Sequence, residues 1–213
     1  MTQTRARSKK AKEQQIQKII EEARDLFIEE GTRGFSMRAL AKRLEMSQGN
    51  LYNYWASKRE LWYEIIKRDF TDFEGELSDI VASHKGTIIE LLEVLADFYF
   101  DFAESNFRKY QIMFILPPPP VESNNQTEIK YEPQSINMLL PILENAITEA
   151  KIENIDSKKL ALYLWTVMHG TVLITNTILF DEKFETAVFG RKDEFREYVK
   201  NQLKAQLDKM FTK

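Results

Sequence analysis

Ser36-Met37-Arg38-Ala39-Leu40-Ala41-Lys42-Arg43-Leu44-Glu45-Met46-Ser47-Gln48-Gly49-Asn50-Leu51-Tyr52-Asn53-Tyr54-Trp55-Ala56-Ser57-Lys58 is the stretch that decides the fold. It reads as a short helix, a turn of about three residues and a second short helix, the pattern of a helix-turn-helix whose second helix enters a major groove. Ser36 and Ser47 stand where helix N-caps belong. Leu40, Ala41 and Leu44 define the inward face of the first short helix. Leu51 and Trp55, four apart, define that of the second. At about 100° per residue, Gly49 and Asn53 then point outward, with Asn50 and Tyr52 beside them and Gln48 and Tyr54 at the edges. That arc carries amides and aromatics and no carboxylate. Gln and Asn pair bidentately with adenine edges, and a tyrosine hydroxyl holds a phosphate. Arg38, Lys42, Arg43, Lys58 and Arg59 surround it with positive charge. Trp55 reads as core, Tyr54 equally as core or contact, and Tyr52 as a contact.

Outward from this stretch the periodicity stays helical. Upstream, Ile16, Ile19, Ile20, Ala23, Leu26 and Phe27 form one stripe, and Gly31 sits where a C-cap glycine belongs. Downstream, Ser57 and Glu60 form an S-x-x-E capping box that opens a long helix. Further helices are expected over 87–105, 107–116, from about 133 with a kink at Pro141, over 161–180 behind a cap at Asp156 or Ser157, and over 191–211. With 7 Gly and 6 Pro, four of the prolines consecutive at 117–120, and no alternating runs, the fold class is all-α with nine helices. Residues 1–57 are expected to form a three-helix helix-turn-helix domain with a basic tail, and residues 58–213 a helical bundle.

The charge agrees with two tasks. Over 213 residues the net charge is −3, a value that by itself speaks against a nucleic-acid binder. Residues 1–60 hold 13 Lys/Arg and 8 Asp/Glu, and the remainder 17 and 25, so +5 and −8 are averaged together. There is no cysteine, which excludes disulfides, thiol catalysis and Cys-based zinc sites. The N-terminus MTQTRARSKKAKEQQ lacks the apolar region of a secretion signal. The uncharged run 161–180 is long enough to span a bilayer. His169, Asn176, Gly170 and lysines on both sides favour a buried helix and a cytoplasmic protein without a membrane partner. The basic residues Arg5, Arg7, Lys9, Lys10 and Lys12 read either as a solvated end or as an arm reaching phosphate.

The whole stretch resembles the DNA-binding domain of the TetR/AcrR family of transcriptional regulators. Gly31 with Phe35, the Met37–Ala41 helix, the Ser47–Trp55 run, and Ser57-Lys58 with Leu61 carry the resemblance over about 50 residues. Glu45 departs from it, standing where the family has glycine. The resemblance implies that Ser36, Arg38, Ser47, Gln48, Gly49, Asn50, Tyr52, Asn53, Tyr54 and Lys58 face a double-stranded, pseudo-palindromic operator. It also implies a homodimer formed through the last two helices, whose apolar stripes (Leu173, Phe180, Phe195, Val199, Leu203, Leu207, Met210) are the candidate interface. A small, largely apolar or aromatic effector would bind the body and release the repressor. Phe98, Tyr99, Phe102, Phe107, Tyr110, Met113, Phe114, Trp165, Thr166, Met168, His169 and Asn176 are the candidate pocket. No catalytic or metal-binding signature and no cofactor motif is present, and His169 reads as a buried histidine with its hydrogen bonds satisfied. A ligand-binding helical protein that does not read DNA, and a helical enzyme using His169, are the readings from other classes.

Overall fold

The computed structural model describes residues 2–121, 134–177 and 191–211, with side chains from residue 9 onward. Among the described residues it is helical, with nine helices and no strand. These are α1 (Thr2–Gly34), α2 (Met37–Arg43), α3 (Gln48–Tyr52), α4 (Lys58–Ser83), α5 (Ile88–Ser105), α6 (Phe107–Tyr110, passing into a π-turn over Gln111–Ile115), α7 (Ser135–Glu149), α8 (Ser157–Thr177) and α9 (Lys192–Phe211).

Local chemistry sets the boundaries. Gly31 has φ 67° and ψ 167°, a region that only glycine reaches without strain, so α1 breaks there before its last turn. Ser36 Oγ accepts the Ala39 N–H at 3.1 Å and Ser47 Oγ accepts the Asn50 N–H at 3.2 Å, capping α2 and α3. Ser57 Oγ accepts the Glu60 N–H at 3.1 Å, while the Glu60 carboxylate reaches back to the Ala56 N–H at 2.6 Å. This is the expected capping box, with its return bond made one residue earlier. A second box opens α5: Thr87 Oγ1 accepts the Glu90 N–H, and Glu90 accepts from the Thr87 N–H and hydroxyl, which hold its carboxyl below the ordinary range. Asp156 caps α8 through the N–H groups of Lys158 and Lys159.

The α2–α3 turn is closed by Met46 N–H to Ala41 O (2.9 Å) and Glu45 N–H to Lys42 O (3.2 Å), the bonding of a Schellman motif. Glu45 occupies its left-handed position with φ 54°. A side chain there costs on the order of 1 kcal/mol. Glu45→Gly is therefore expected to raise the stability of this part of the chain by about that amount, read as an upward shift of the urea midpoint at constant m. An unchanged or lower midpoint would mean that the Glu45 side chain contributes a compensating contact.

The chain divides into two compact units, one built from residues 1–72 and 106–132, the other from 73–105 and 133–213. The first unit runs past residue 57, the boundary expected from sequence, to Asp72 inside α4. The physical reason is that Leu61, Trp62 and Ile65 of α4 lie in the same core as Ile19, Phe27, Leu40 and Leu51, and Ile112 joins them. Phe27 stacks on Phe35 and meets Trp62 edge-on, with centroids 4.9 Å apart in the second pair. A buried ion pair crosses this core. Arg24 on α1 donates to both carboxylate oxygens of Asp69 on α4, at 2.8 and 3.1 Å, and also pairs with Glu21.

In the second unit, Leu143 and Ile147 of α7, Leu160, Ala161 and Leu164 of α8, and Val199, Leu203 and Leu207 of α9 form one cluster. Ion pairs run along α5 and α9: Glu93 with Lys204, Asp97 with Lys200, and Glu104 with both Lys192 and Arg196. The Lys192 and Arg196 bonds hold the Glu104 carboxyl below its ordinary range. No helix among the described residues is long and apolar enough to cross a membrane.

Candidate nucleic-acid interface

α2 and α3 are short, and each is fixed by one capping serine and by apolar residues on one side: Met37, Leu40 and Ala41 on α2, Leu51 on α3. Trp55 is buried just beyond. The opposite side of α3 is solvent-facing. Gln48, Gly49, Asn50, Tyr52 and Asn53 are all exposed, Tyr52 to 46%. The outward arc deduced from helical angles is therefore present. α3 itself ends at Tyr52, three residues short of expectation, although Trp55 N–H still bonds Leu51 O at 3.1 Å.

Gly49 is informative because nothing in the protein needs it. A Cβ built there meets no atom within 4 Å and its φ is not positive. The glycine leaves the α3 surface flat toward the outside. Ser36 and Ser47 accept the cap bonds with their oxygens, which leaves each hydroxyl hydrogen able to donate. Tyr54 falls between its two readings. It is half-buried, its ring 5.6 Å from that of Trp55, with Lys12 Nζ 6.0 Å above it.

The surrounding charges separate into two groups. Arg38, Lys42 and Lys58 form no ion pair among the described residues, and Arg38 and Lys42 are exposed. Arg43 and Arg59, counted with them from sequence, are engaged elsewhere. Arg43 pairs with Glu22 and Glu29 at 2.8 and 2.6 Å. Arg59 donates to the Pro119 carbonyl and to Tyr63 Oη, and lies over the Tyr63 ring. Acidic partners on α1 neutralise Arg43, so three cations, not five, flank the α3 arc.

Residues 19–65 match the family model described as bacterial regulatory proteins, tetR family. An HTH-type transcriptional regulator of Staphylococcus aureus (strain USA300) is 35% identical over 98 residues, 46% of this chain and 52% of that protein. The likeness to the tetR family thus lies in residues 19–65, the part that holds α2 and α3. The chain spans about half the length of the curated relatives it matches. Its fold is also that of several solved structures. FadR from Bacillus subtilis, in complex with stearoyl-CoA, has a TM-score of 0.64 at 18% identity, covering 87% of this chain and 95% of that one. AibR, in complex with isovaleryl coenzyme A and operator DNA, has a TM-score of 0.61 at 16% identity, covering 92% and 97%. At such identities the likeness concerns the fold alone.

The candidate pocket residues do not form one set. Phe107, Tyr110, Met113 and Phe114 belong to the first unit, where Tyr110 is buried and Phe114 packs on Phe70 and Tyr110. Phe98, Tyr99, Phe102, Trp165, Thr166, Met168, His169 and Asn176 belong to the second. There Phe98, Tyr99 and Phe102 surround Phe73. Tyr99 Oη accepts the Trp165 Nε1–H at 3.2 Å and lies 3.3 Å from His169 Nδ1, and Trp165 stacks on His169. His169 is thus hydrogen-bonded but only half-buried, where a buried histidine is expected, and the burial it has lowers its pKa. Thr166 and Asn176 instead donate to carbonyls of their own helix, at 2.7 and 2.9 Å, and Met168 packs on the α7–α8–α9 core.

The second unit also holds a cavity of about 640 Å³ that none of these residues lines. His84, Thr87, Leu91, Asn145, Glu149 and Phe211 are among its walls. Its walls come from separate stretches of sequence, so no local pattern announces it. Among the described residues no cluster of His, Asp and Glu could hold a metal ion.

Most of the stripe expected at a dimer interface packs within the chain itself. Val199, Leu203 and Leu207 are 9, 6 and 4% exposed and lie in the chain's own core, with Phe195 and Met210 packed beside them. They bury the inner side of α9 and are not free for a partner. Leu173 is half-buried, and Phe180 lies outside the described residues. The apolar residues that do face outward are Leu162 and Tyr163 on α8 and Tyr198 on α9, where Tyr163 Oη bonds Gln206 at 2.8 Å.

Proposed function

We propose that the chain is a homodimeric transcriptional repressor that reads a pseudo-palindromic operator through α3 and leaves it when a small effector binds the second unit. The observation that carries this reading is the exposed, carboxylate-free arc Gln48–Asn53 on a capped and buried α3, within a TetR-family domain. Gln48 and Asn53 are the base readers. Arg38, Tyr52 and Lys58 are the phosphate contacts, with Ser36, Ser47, Gly49, Asn50 and Tyr54 completing the surface. Two copies would place their α3 helices about 34–36 Å apart, one turn of B-DNA.

The partner copy is proposed on the outer face of α8 and α9, through Leu162 and Tyr163 with Tyr198, the last 60% exposed. For the effector, the cluster of Phe73, Phe98, Phe102, Tyr99, Trp165 and His169 supplies the aromatic walls and few polar groups that suit an apolar or aromatic molecule. Two of the solved structures carry acyl-coenzyme A thioesters, which supports an acylated effector with an acidic part. Arg196 fits such a molecule, being buried with Nε and Nη2 free of hydrogen-bond partners. An effector acts only through its different affinity for the two states of the dimer.

Titration of the preformed operator complex with short- and long-chain acyl-CoA thioesters tests this reading. Release by one of them is expected. A complex that no thioester, free fatty acid or aromatic acid dissolves would remove the effector from the account. Failure to form any specific complex would remove the repressor.

A further inference from the structure

α1 continues well past the core it helps to build. Its inward stripe runs through Ile16, Ile19, Ile20, Ala23 and Phe27. Stepping back from Ile16 by four and seven residues gives Lys12 and Lys9, which lie within about 40° of the same helix face. The face that is apolar against the helix-turn-helix is thus cationic where the helix overhangs it. Residues 1–12 hold five Lys/Arg and no carboxylate. The first carboxylate, Glu13, is taken by Arg68 at 2.9 Å.

Contacts fix where this overhang begins. Gln15 Nε2 reaches Met46 Sδ at 3.3 Å, in the α2–α3 turn, and Lys12 Nζ sits 6.0 Å over the Tyr54 ring just after α3. Lys9, Lys10 and Lys12 are exposed and make no ion pair among the described residues. Like charges spaced four apart on a helix repel, so in the isolated protein this arrangement weakens α1. Ten residues of helix before Lys12 reach about 15 Å, roughly four base pairs at 3.4 Å each.

We propose that the overhanging start of α1 is a second DNA-contacting element, in which Lys9, Lys10 and Lys12 follow the phosphates flanking each half-site. This rests on the reading that α3 faces DNA, because Lys12 adjoins the end of α3. A phosphate-only contact adds affinity without sequence information.

The test compares the full-length protein with Lys9→Ala/Lys10→Ala/Lys12→Ala, substitutions that keep helix propensity and touch no core. Both are titrated on an operator duplex with ten-base-pair flanks and on one trimmed to the half-sites, across salt. Wild type is expected to lose at least tenfold in affinity on trimming. On the long duplex the triple variant should bind with a log–log salt slope shallower by about 2–3, at about 0.9 per phosphate contact. Trimming should then leave the variant unchanged, and its preference for operator over shuffled DNA should persist. A variant with the wild-type slope, or one still sensitive to trimming, overturns the proposal while the α3 reading stands. Wild type that shows no operator preference on either duplex overturns the α3 reading, and the proposal with it.

Discussion

Arg24→Met is expected to destabilise the first unit by about 3–5 kcal/mol, the cost of leaving a buried carboxylate without its partner. Arg24 and Asp69 are 3 and 2% exposed and bridge α1 to α4 by a bidentate bond, with Lys109 Nζ 3.9 Å from the same carboxylate. Burial pushes the Asp69 carboxyl above the usual range, against the pull of Arg24 and Lys109. A carboxyl whose pKa is raised in the folded state adds stability that is complete below its unfolded pKa and lost as pH rises through the folded one. Without Arg24 the folded value rises further. The deficit of Arg24→Met should therefore shrink as the pH falls from neutral toward 5. Urea unfolding followed by hydrogen exchange at the α1 and α4 amides measures it. The double change Arg24→Met/Asp69→Leu should recover most of the loss, since an apolar pair of similar volume replaces the ions. A deficit below 1 kcal/mol, or one that grows on acidification, would contradict this account of the core.

The second large effect concerns α3. Asn53→Ala and Gln48→Ala are each expected to lose about 1–3 kcal/mol of discrimination, roughly 5- to 150-fold, on operator DNA and almost nothing on unrelated DNA. Lys58→Ala should instead weaken binding to every sequence and lower the salt slope by about one. Both asparagine and glutamine are exposed and neither is buried in the core, so folding should not change. Gly49→Ala separates the two causes cleanly. The protein has open space around the position, and alanine favours helix, so stability should hold or rise. Any loss of operator affinity then comes from the DNA side. Equal losses on all sequences from Asn53→Ala and Lys58→Ala would refute the division of roles.

Much of the first unit was legible in the sequence because its signals are local. Ser36, Ser47 and Ser57 announce caps three residues before the N–H groups they accept, and Gly31 announces a backbone that only glycine adopts. The i, i+4 pair Leu51 and Trp55 orients α3, and its exposed arc follows. What sequence missed depends on distant partners. Arg43 looks available until Glu22 and Glu29 arrive from α1. The stripe of Val199, Leu203 and Leu207 shows that α9 buries one side, and not what covers it, which is α7 and α8 of the same chain. The unit boundary inside α4 is likewise invisible, since one helix serves two cores. The aromatic residues at 107–114 and at 98–102 look equivalent in composition, and their separation into different units comes from tertiary packing alone. The ion pairs from Glu93 to Lys204 and from Glu104 to Arg196 join residues about a hundred positions apart, beyond any local pattern.

Sequence reading by α3 is tested by the ratio of dissociation constants for a duplex from the protein's own upstream region and for a shuffled duplex of equal length, measured across salt. A ratio of about 10³ or more is expected at physiological salt, with both constants rising steeply as salt is added. A ratio near one at every salt concentration would show binding by charge alone and contradict sequence reading by α3.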